Sequence, residues 1–264
     1  MQSCALARAW LTHDSIPDAP TLMQLLPHVF FLQDLVGQEA LSAGVWYVAI
    51  DLQLFALAAL LMWAAGHVEA RYTHLRSLGP FAIAVLTAAS LFFFNLHKEL
   101  DTTAFYFFGS YGLGALAYWA SRREDGMWWL ALLGTAVMAA LLFDFRSRIL
   151  VAGGVMLVLG VARQTGAMEA LQMPRMLVYL GRISYSVFLI HFPLCMLVNA
   201  AFFHFFPEQP VANLIGMLVA VAASIGGGAL LFKWVESRPL TGRRHLLAPA
   251  GFVVSGMLAA QQAG

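Results

Sequence analysis

Charge is what this chain has least of. Asp, Glu, Lys and Arg make up 11% of its 264 residues, against about a quarter in an ordinary soluble domain. That shortage excludes a water-solvated globule, and a hydrophobic share of 61% places the chain among integral membrane proteins. The net charge of +1, with no block of one sign, excludes nucleic acid as a partner. Cysteine is nearly absent too. Cys4 and Cys195 make no disulfide framework, and Cys195 stands in an apolar run where packing is role enough. Residues 1–21 hold one arginine and no apolar stretch of useful length before Asp14 and Asp18, so a cleavable leader is not expected. No metal-ligand spacing, nucleotide loop or haem attachment motif occurs, and neither a metal nor a bound cofactor is expected.

What the chain does have is long apolar runs. A membrane helix needs about 20 mostly apolar residues to cross about 30 Å of hydrocarbon. Stretches near 46–65, 78–96, 104–120, 127–145, 148–162, 177–206 and 211–235 meet that need. Two more are ambiguous. Residues 22–37, broken by Gln24, Pro27, His28 and Gln33, suit an interfacial or re-entrant piece. Residues 246–260, with Pro249, Gly251 and Gly256, suit an eighth span or a surface-lying tail. The expectation is an all-α polytopic membrane protein of about seven to eight transmembrane helices. Arginine and lysine set its orientation. Arg71, Arg76, Arg122, Arg123, Arg163, Arg175, Arg182, Lys233, Arg238, Arg243 and Arg244 fall in one set of alternate loops, and only Lys98, Arg146 and Arg148 in the other. By the positive-inside rule the first set is cytoplasmic, which puts Trp46 and the N-terminal arm outside.

Ionisable and polar groups within spans are costly, so each is a candidate for function and also for helix–helix hydrogen bonding. Asp51 lies about 8 Å below the outer surface, and His191 about 13 Å above the inner one, at ~1.5 Å rise per residue. In a slab of about 30 Å their depths differ by roughly 9 Å, so the two suit one polar cavity without touching. The segment LGRISYSVFLIHFPL (180–194) is dense in such groups. Arg182, at the cytoplasmic edge, is explained by snorkelling alone, and Lys233, Glu236 and Arg238 at the inner surface can pair among themselves or meet an anionic ligand. Ser184 and Ser186 can bond the preceding turn or a neighbouring helix. Pro193 frees the carbonyl of Leu189 and is expected to kink the helix beside His191. The loop NLHKELD (95–101) is expected to be solvated, and Gly109, Gly112 and Gly114 to permit close helix packing rather than to cradle phosphate.

LGRISYSVFLIHFPL resembles the late-helix motif of the membrane acyltransferase-3 family, commonly L-G-K-I-S-Y-S-L-Y-L-W-H-F-P. WYVAIDLQLF (46–55) is similar to that family's W-S-L-x-x-E-x-Q-F-Y segment, with Trp46 and Gln53 kept and Asp51 in place of glutamate. VESRPL (235–240), with Glu236, is similar to its E-x-P ending. The resemblance implies transfer of an acyl group, acetyl above all, from acetyl-CoA or another acyl-CoA to a hydroxyl of an envelope glycan or lipid. As ionisable groups within spans His191 and Asp51 are the catalytic candidates, although His191 holds a different position from the family's central histidine, and Trp46, Gln53, Arg182, Ser184, Tyr185 and Glu236 are substrate-binding ones. The resemblance also implies earlier helices carrying an arginine and, some ten residues on, a catalytic histidine. Arg8 and His13, five apart in a polar arm, do not reproduce that pair, so the chain reads as shortened at its N-terminus. The domain division expected is an arm at 1–45, an acyltransferase-3-like membrane domain at 46–245, and a tail or extra span at 246–264. Membrane lipids and other membrane subunits are the expected partners, in a bacterial inner membrane. The alternative is a non-catalytic accessory subunit of a larger membrane complex. A small-solute transporter is a further one, weakened by the lack of a visible inverted repeat.

Overall fold

The computed structural model describes residues 27–28, 30–33, 36–38, 43–72, 77–206 and 209–237. Every regular element among them is helical. The order is α1 (Ala43–Arg71), α2 (Leu78–Phe92), two 3₁₀ turns (Phe94–Leu96, Lys98–Leu100), α3 (Ala104–Ala120), α4 (Gly126–Phe143), α5 (Ser147–Gln164), the short α6 (Ala167–Ala170), α7 (Arg175–Phe205), α8 (Pro210–Leu231) and a π-helical turn (Phe232–Glu236). Six of these are long and apolar enough to cross a membrane: Val45–Arg71, Leu78–Leu96, Gly126–Phe143, Ser147–Gln164, Arg175–Phe205 and Pro210–Glu236. The chain is an all-α polytopic membrane protein. The remaining expected span, 104–120, forms α3 with 17 residues, about 25 Å long and just short of the hydrocarbon thickness. Residues 246–260 lie outside the described residues. Of 22–37 only pieces are described, and there His28 and Gln33 are buried.

Contacts gather the helices into two compact units, residues 1–49 with 173–264, and residues 50–172; the boundary falls inside α1 after Ala49. In the second unit α2 packs on α3, and α3 and α4 pack on α5. The α2–α3 seam is close because α3 lacks side chains where it meets α2. A Cβ on Gly112 would overlap Thr87 Oγ1, and one on Gly109 would stand 3.0 Å from Leu91 Cδ2. Gly114 faces open space instead. Two of the three glycines therefore serve helix contact, and the third does not.

In the first unit α7 packs chiefly on α8. Its 31 residues run about 46 Å, so this helix must tilt or protrude from a ~30 Å core. Pro193 sits inside α7 without ending it. The buried side of α7 follows helical spacing: Ile183, Ser186 and Ala200 are enclosed, while Arg182, Tyr185 and Leu189 take the exposed side. α8 begins with Pro210 in its first turn, where a missing N–H costs nothing.

Candidate functional site

The polar segment of α7 divides into three kinds of residue. Ser184 bonds locally, its hydroxyl donating to the Gly181 carbonyl at 2.8 Å, the back-bond that satisfies a serine in an apolar setting. Ser186 bonds across elements. Its buried hydroxyl donates to Glu236 Oε2 at 2.6 Å, joining α7 to the π-helical turn after α8. Arg182 and Tyr185 lie on the exposed face.

His191 is half-buried, and its Nδ1 lies 2.6 Å from the Phe188 carbonyl. A carbonyl oxygen only accepts, so Nδ1 carries the hydrogen and the neutral ring keeps its lone pair on Nε2. A chain of aromatic contacts leads from this imidazole to α1. The Phe188 ring is 5.7 Å from the imidazole, Tyr47 meets Phe188 edge-on at 5.7 Å, and Trp46 meets Tyr47 edge-on at 4.9 Å. Residues 46 and 47 open α1, so the start of WYVAIDLQLF and the middle of the α7 motif meet within one unit. One turn on, Cys195 Sγ is 3.8 Å from Ser224 Oγ of α8, and Ser224 donates to the Ala220 carbonyl at 2.7 Å. Cys195 packs against α8, as its apolar surroundings lead one to expect.

Asp51 and Gln53 belong to the other unit. Asp51 is exposed. Gln53 has a structural duty: its Oε1 accepts the Ala104 backbone N–H at 3.1 Å, satisfying one of the orphan donors at the start of α3. Its Nε2 is buried with no hydrogen-bond partner among the described residues. Of the eight candidates, Trp46 and His191 share the aromatic cluster through Tyr47 and Phe188, and Ser186 ties Glu236 to α7.

Residues 10–233 match the acyltransferase domain that defines the acyltransferase-3 family. The chain belongs to the acyltransferase-3 family. No curated protein and no solved structure matches it. The family match takes in Trp46, Asp51, Gln53 and the whole α7 motif, and ends three residues before Glu236. It identifies a membrane acyltransferase in general terms, and no group of three or more His, Cys, Asp or Glu capable of holding a metal occurs among the described residues.

This acyltransferase-3 chain also contains a polar centre that sequence reasoning missed. Arg146 counts in the sequence only as a loop charge, yet its side chain is 10% exposed. Its guanidinium donates to Asn95 Oδ1 at 2.8 Å, to the Leu91 carbonyl at 2.9 Å, to the Ala140 carbonyl at 3.3 Å and to the Asp144 carbonyl at 3.2 Å. Asp144 adds a carboxylate at 3.4 Å. Asn95 in turn donates to the Tyr106 carbonyl at 2.7 Å, and Arg148 lies over the Tyr106 ring while donating to its hydroxyl at 2.7 Å. The ends of α2 and α4 and the starts of α3 and α5 are thereby joined. Nothing in one sequence marks an Asn and an Arg 51 positions apart as partners. By contrast His97, Lys98, Glu99 and Asp101 are exposed, as the solvated-loop reading of NLHKELD expects. In the α3–α4 loop, Arg123 and Asp125 pair at 2.8 Å. The hydrogen bond from Arg123 holds the Asp125 carboxyl below its ordinary range, helped by one from Trp129.

Proposed function

We propose that this chain moves an acyl group, acetyl being the simplest, from acyl-CoA to a hydroxyl of an envelope glycan or lipid. The observation that carries this reading is the His191 imidazole, fixed by Phe188 in the tautomer that leaves Nε2 as a base. In the reaction Nε2 takes the proton of the acceptor hydroxyl as that oxygen attacks the thioester carbon. The tetrahedral oxyanion collapses to the ester, the C–S bond breaks, and the leaving thiolate takes the proton from the imidazolium. Phe188 packs on the base and is itself backed by Tyr47, so part of the imidazole is kept from bulk water, where its pairing with a substrate hydroxyl would be weaker. Arg182, exposed at the cytoplasmic edge in the expected orientation, suits the phosphates of CoA, with Ser184 and Tyr185 on the following turn. Glu236, held by Ser186, shapes the same end of α7. Asp51 is the second candidate catalytic group and Gln53 a substrate-side one. A bacterial inner membrane, with CoA on its cytoplasmic side, fits this assignment.

The test is complementation. Cells lacking the gene are supplied with wild type, His191→Ala or His191→Gln, and ester-linked acetyl groups in the envelope are measured alongside protein level. Wild type restores the modification and both variants fail at equal abundance. Restoration by His191→Ala removes the reading.

A second reading, a non-catalytic accessory subunit in a larger membrane complex, draws support from a different observation. The span Arg175–Phe205 has 11% of its apolar window buried, the smallest share of the six spans. Such a helix suits a neighbouring subunit as well as lipid. Native mass in mild detergent separates the readings: one or two copies favour the enzyme, and fixed stoichiometry with other chains favours the subunit.

A further inference from the structure

Within the second unit, between α3 and α5, lies a cleft of about 400 Å³. Its lining is apolar and small, with Gly114 and Ala117 on α3 and Ala152, Val155 and Leu159 on α5, and it ends at Arg163. Val155 and Leu159 are 52% and 51% exposed, so the cleft is open along its flank. It reaches from residues 110 and 152 to residues 121 and 163, eleven residues on each helix, or about 16 Å. That length is one leaflet of a ~30 Å hydrocarbon core.

The end at Arg163 is basic. Arg163 lies 4.8 Å from the Tyr118 ring centroid and Arg122 lies 5.7 Å from it. Arg122 Nη1 also donates to the Tyr118 hydroxyl at 2.9 Å. Both guanidinium groups thus contact Tyr118, and neither has a carboxylate partner within ion-pair distance among the described residues. Two positive charges around one ring without a counter-ion favour an anion near them. The positive-inside rule puts this end at the cytoplasmic headgroup level.

We propose that the α3–α5 cleft is a binding site for an anionic phospholipid of the cytoplasmic leaflet, one acyl chain lying along Gly114, Ala152 and Val155 and the phosphate resting at Arg163, which lines the cleft, with Arg122 adding charge from beside Tyr118. An apolar channel one leaflet deep, ending in paired arginines, matches a lipid in both parts; a free phosphate uses only the arginines. The site is independent of whether His191 performs transfer.

Delipidated protein in mild detergent is titrated with phosphatidylglycerol, with phosphatidylcholine of the same chains, or with inorganic phosphate, and the unfolding temperature is followed. Phosphatidylglycerol is expected to stabilise at the lowest concentration, and inorganic phosphate to have no effect. Arg122→Gln with Arg163→Gln raises the phosphatidylglycerol concentration needed by roughly thirtyfold, about fivefold per arginine near a headgroup surface, bringing it to the phosphatidylcholine value. A Cβ at Gly114 meets nothing within 4 Å, so Gly114→Leu starts into open space, extends into the cleft and is expected to abolish the response to both lipids at an unchanged lipid-free unfolding temperature. Equal responses to the two lipids in wild type, a full response in Gly114→Leu, or stabilisation by inorganic phosphate alone would each overturn the proposal.

Discussion

The polar ties between elements are more numerous in one unit of this protein than in the other. In residues 50–172 polar groups are tied to other elements: Arg146 to Asn95 and three helix-end carbonyls, Ser90 to the Phe105 carbonyl at 2.7 Å, and Gly109 N–H to Ser90 Oγ at 2.8 Å. Along α7 most of them bond their own helix or lie exposed, as Ser184, His191, Arg182 and Tyr185 do. A polar group in hydrocarbon must be satisfied. Where it is satisfied by a distant element it holds the bundle together. Where it is satisfied only locally, one face or lone pair stays available for a ligand. Position inside a span therefore marks a polar residue as needing explanation, and its partner decides which explanation holds.

This contrast can be broken in four places. The largest effect is expected at Arg146. Arg146→Leu leaves Asn95 and several helix-end carbonyls without donors and should lower stability by about 2–4 kcal/mol, read as a large drop in unfolding temperature in detergent. A loss no greater than that of an exposed arginine such as Arg182→Leu would erase the distinction between the units. Gly112→Ala comes next. Its new methyl meets Thr87 Oγ1, whose hydroxyl donates to the Ile83 carbonyl at 2.7 Å, and overpacking of this kind costs about 1–3 kcal/mol. Adding Thr87→Ala should recover much of that loss, and failure to recover it would show that the seam is not limited by this contact.

Ser186→Ala sharpens the α7 side of the comparison. Loss of its bond to Glu236 should cost about 1 kcal/mol, whereas Ser184→Ala should be close to neutral in the same melt. Equal effects would mean that the cross-element bond contributes no more than the local one. The smallest effect is at Asp125. Its carboxyl is held below its ordinary value by Arg123, so the contribution is present above the ordinary pKa of about 3.9 and disappears as pH falls through the lower folded value. The difference in unfolding temperature between wild type and Asp125→Asn should be small at pH 6 and vanish at lower pH. A difference that grows with acid would reverse the assignment.

Much of the helical layout is legible in hydropathy alone. The expected 78–96 is Leu78–Leu96, 127–145 is Gly126–Phe143, and 211–235 is Pro210–Glu236. The first span departs most, continuing from the expected end at 65 to Arg71. Residues 66–71, GHVEAR, are too polar for the hydrocarbon, yet backbone hydrogen bonding carries the helix on through them. Glu69 there accepts the Leu78 N–H at 2.5 Å and so orders the entry to α2. Hydropathy measures solvent preference, and a helix end is set by where its backbone bonds stop.

The candidate site was legible in part. Phe188 and His191 are one turn apart in any helix, so their contact follows from spacing. The meeting of Tyr47 with Phe188, and of Ser186 with Glu236, does not, because those residues are distant in the chain. The three glycines of α3 make the same point. Each is equally able to admit a neighbour, yet Thr87 and Leu91 occupy the space beside Gly112 and Gly109 and nothing occupies that beside Gly114.

The sequence alone determined that this is a helical membrane protein of the acyltransferase-3 family, because apolar length, loop charge and three ordered motifs are properties of the linear chain. Tertiary structure alone decided which polar groups are bound and which are open. That depends on what a neighbouring helix brings within about 3 Å of a donor or acceptor, and no local pattern encodes it. Arg146, a loop charge in the sequence and a buried helix tie in the fold, is the clearest case.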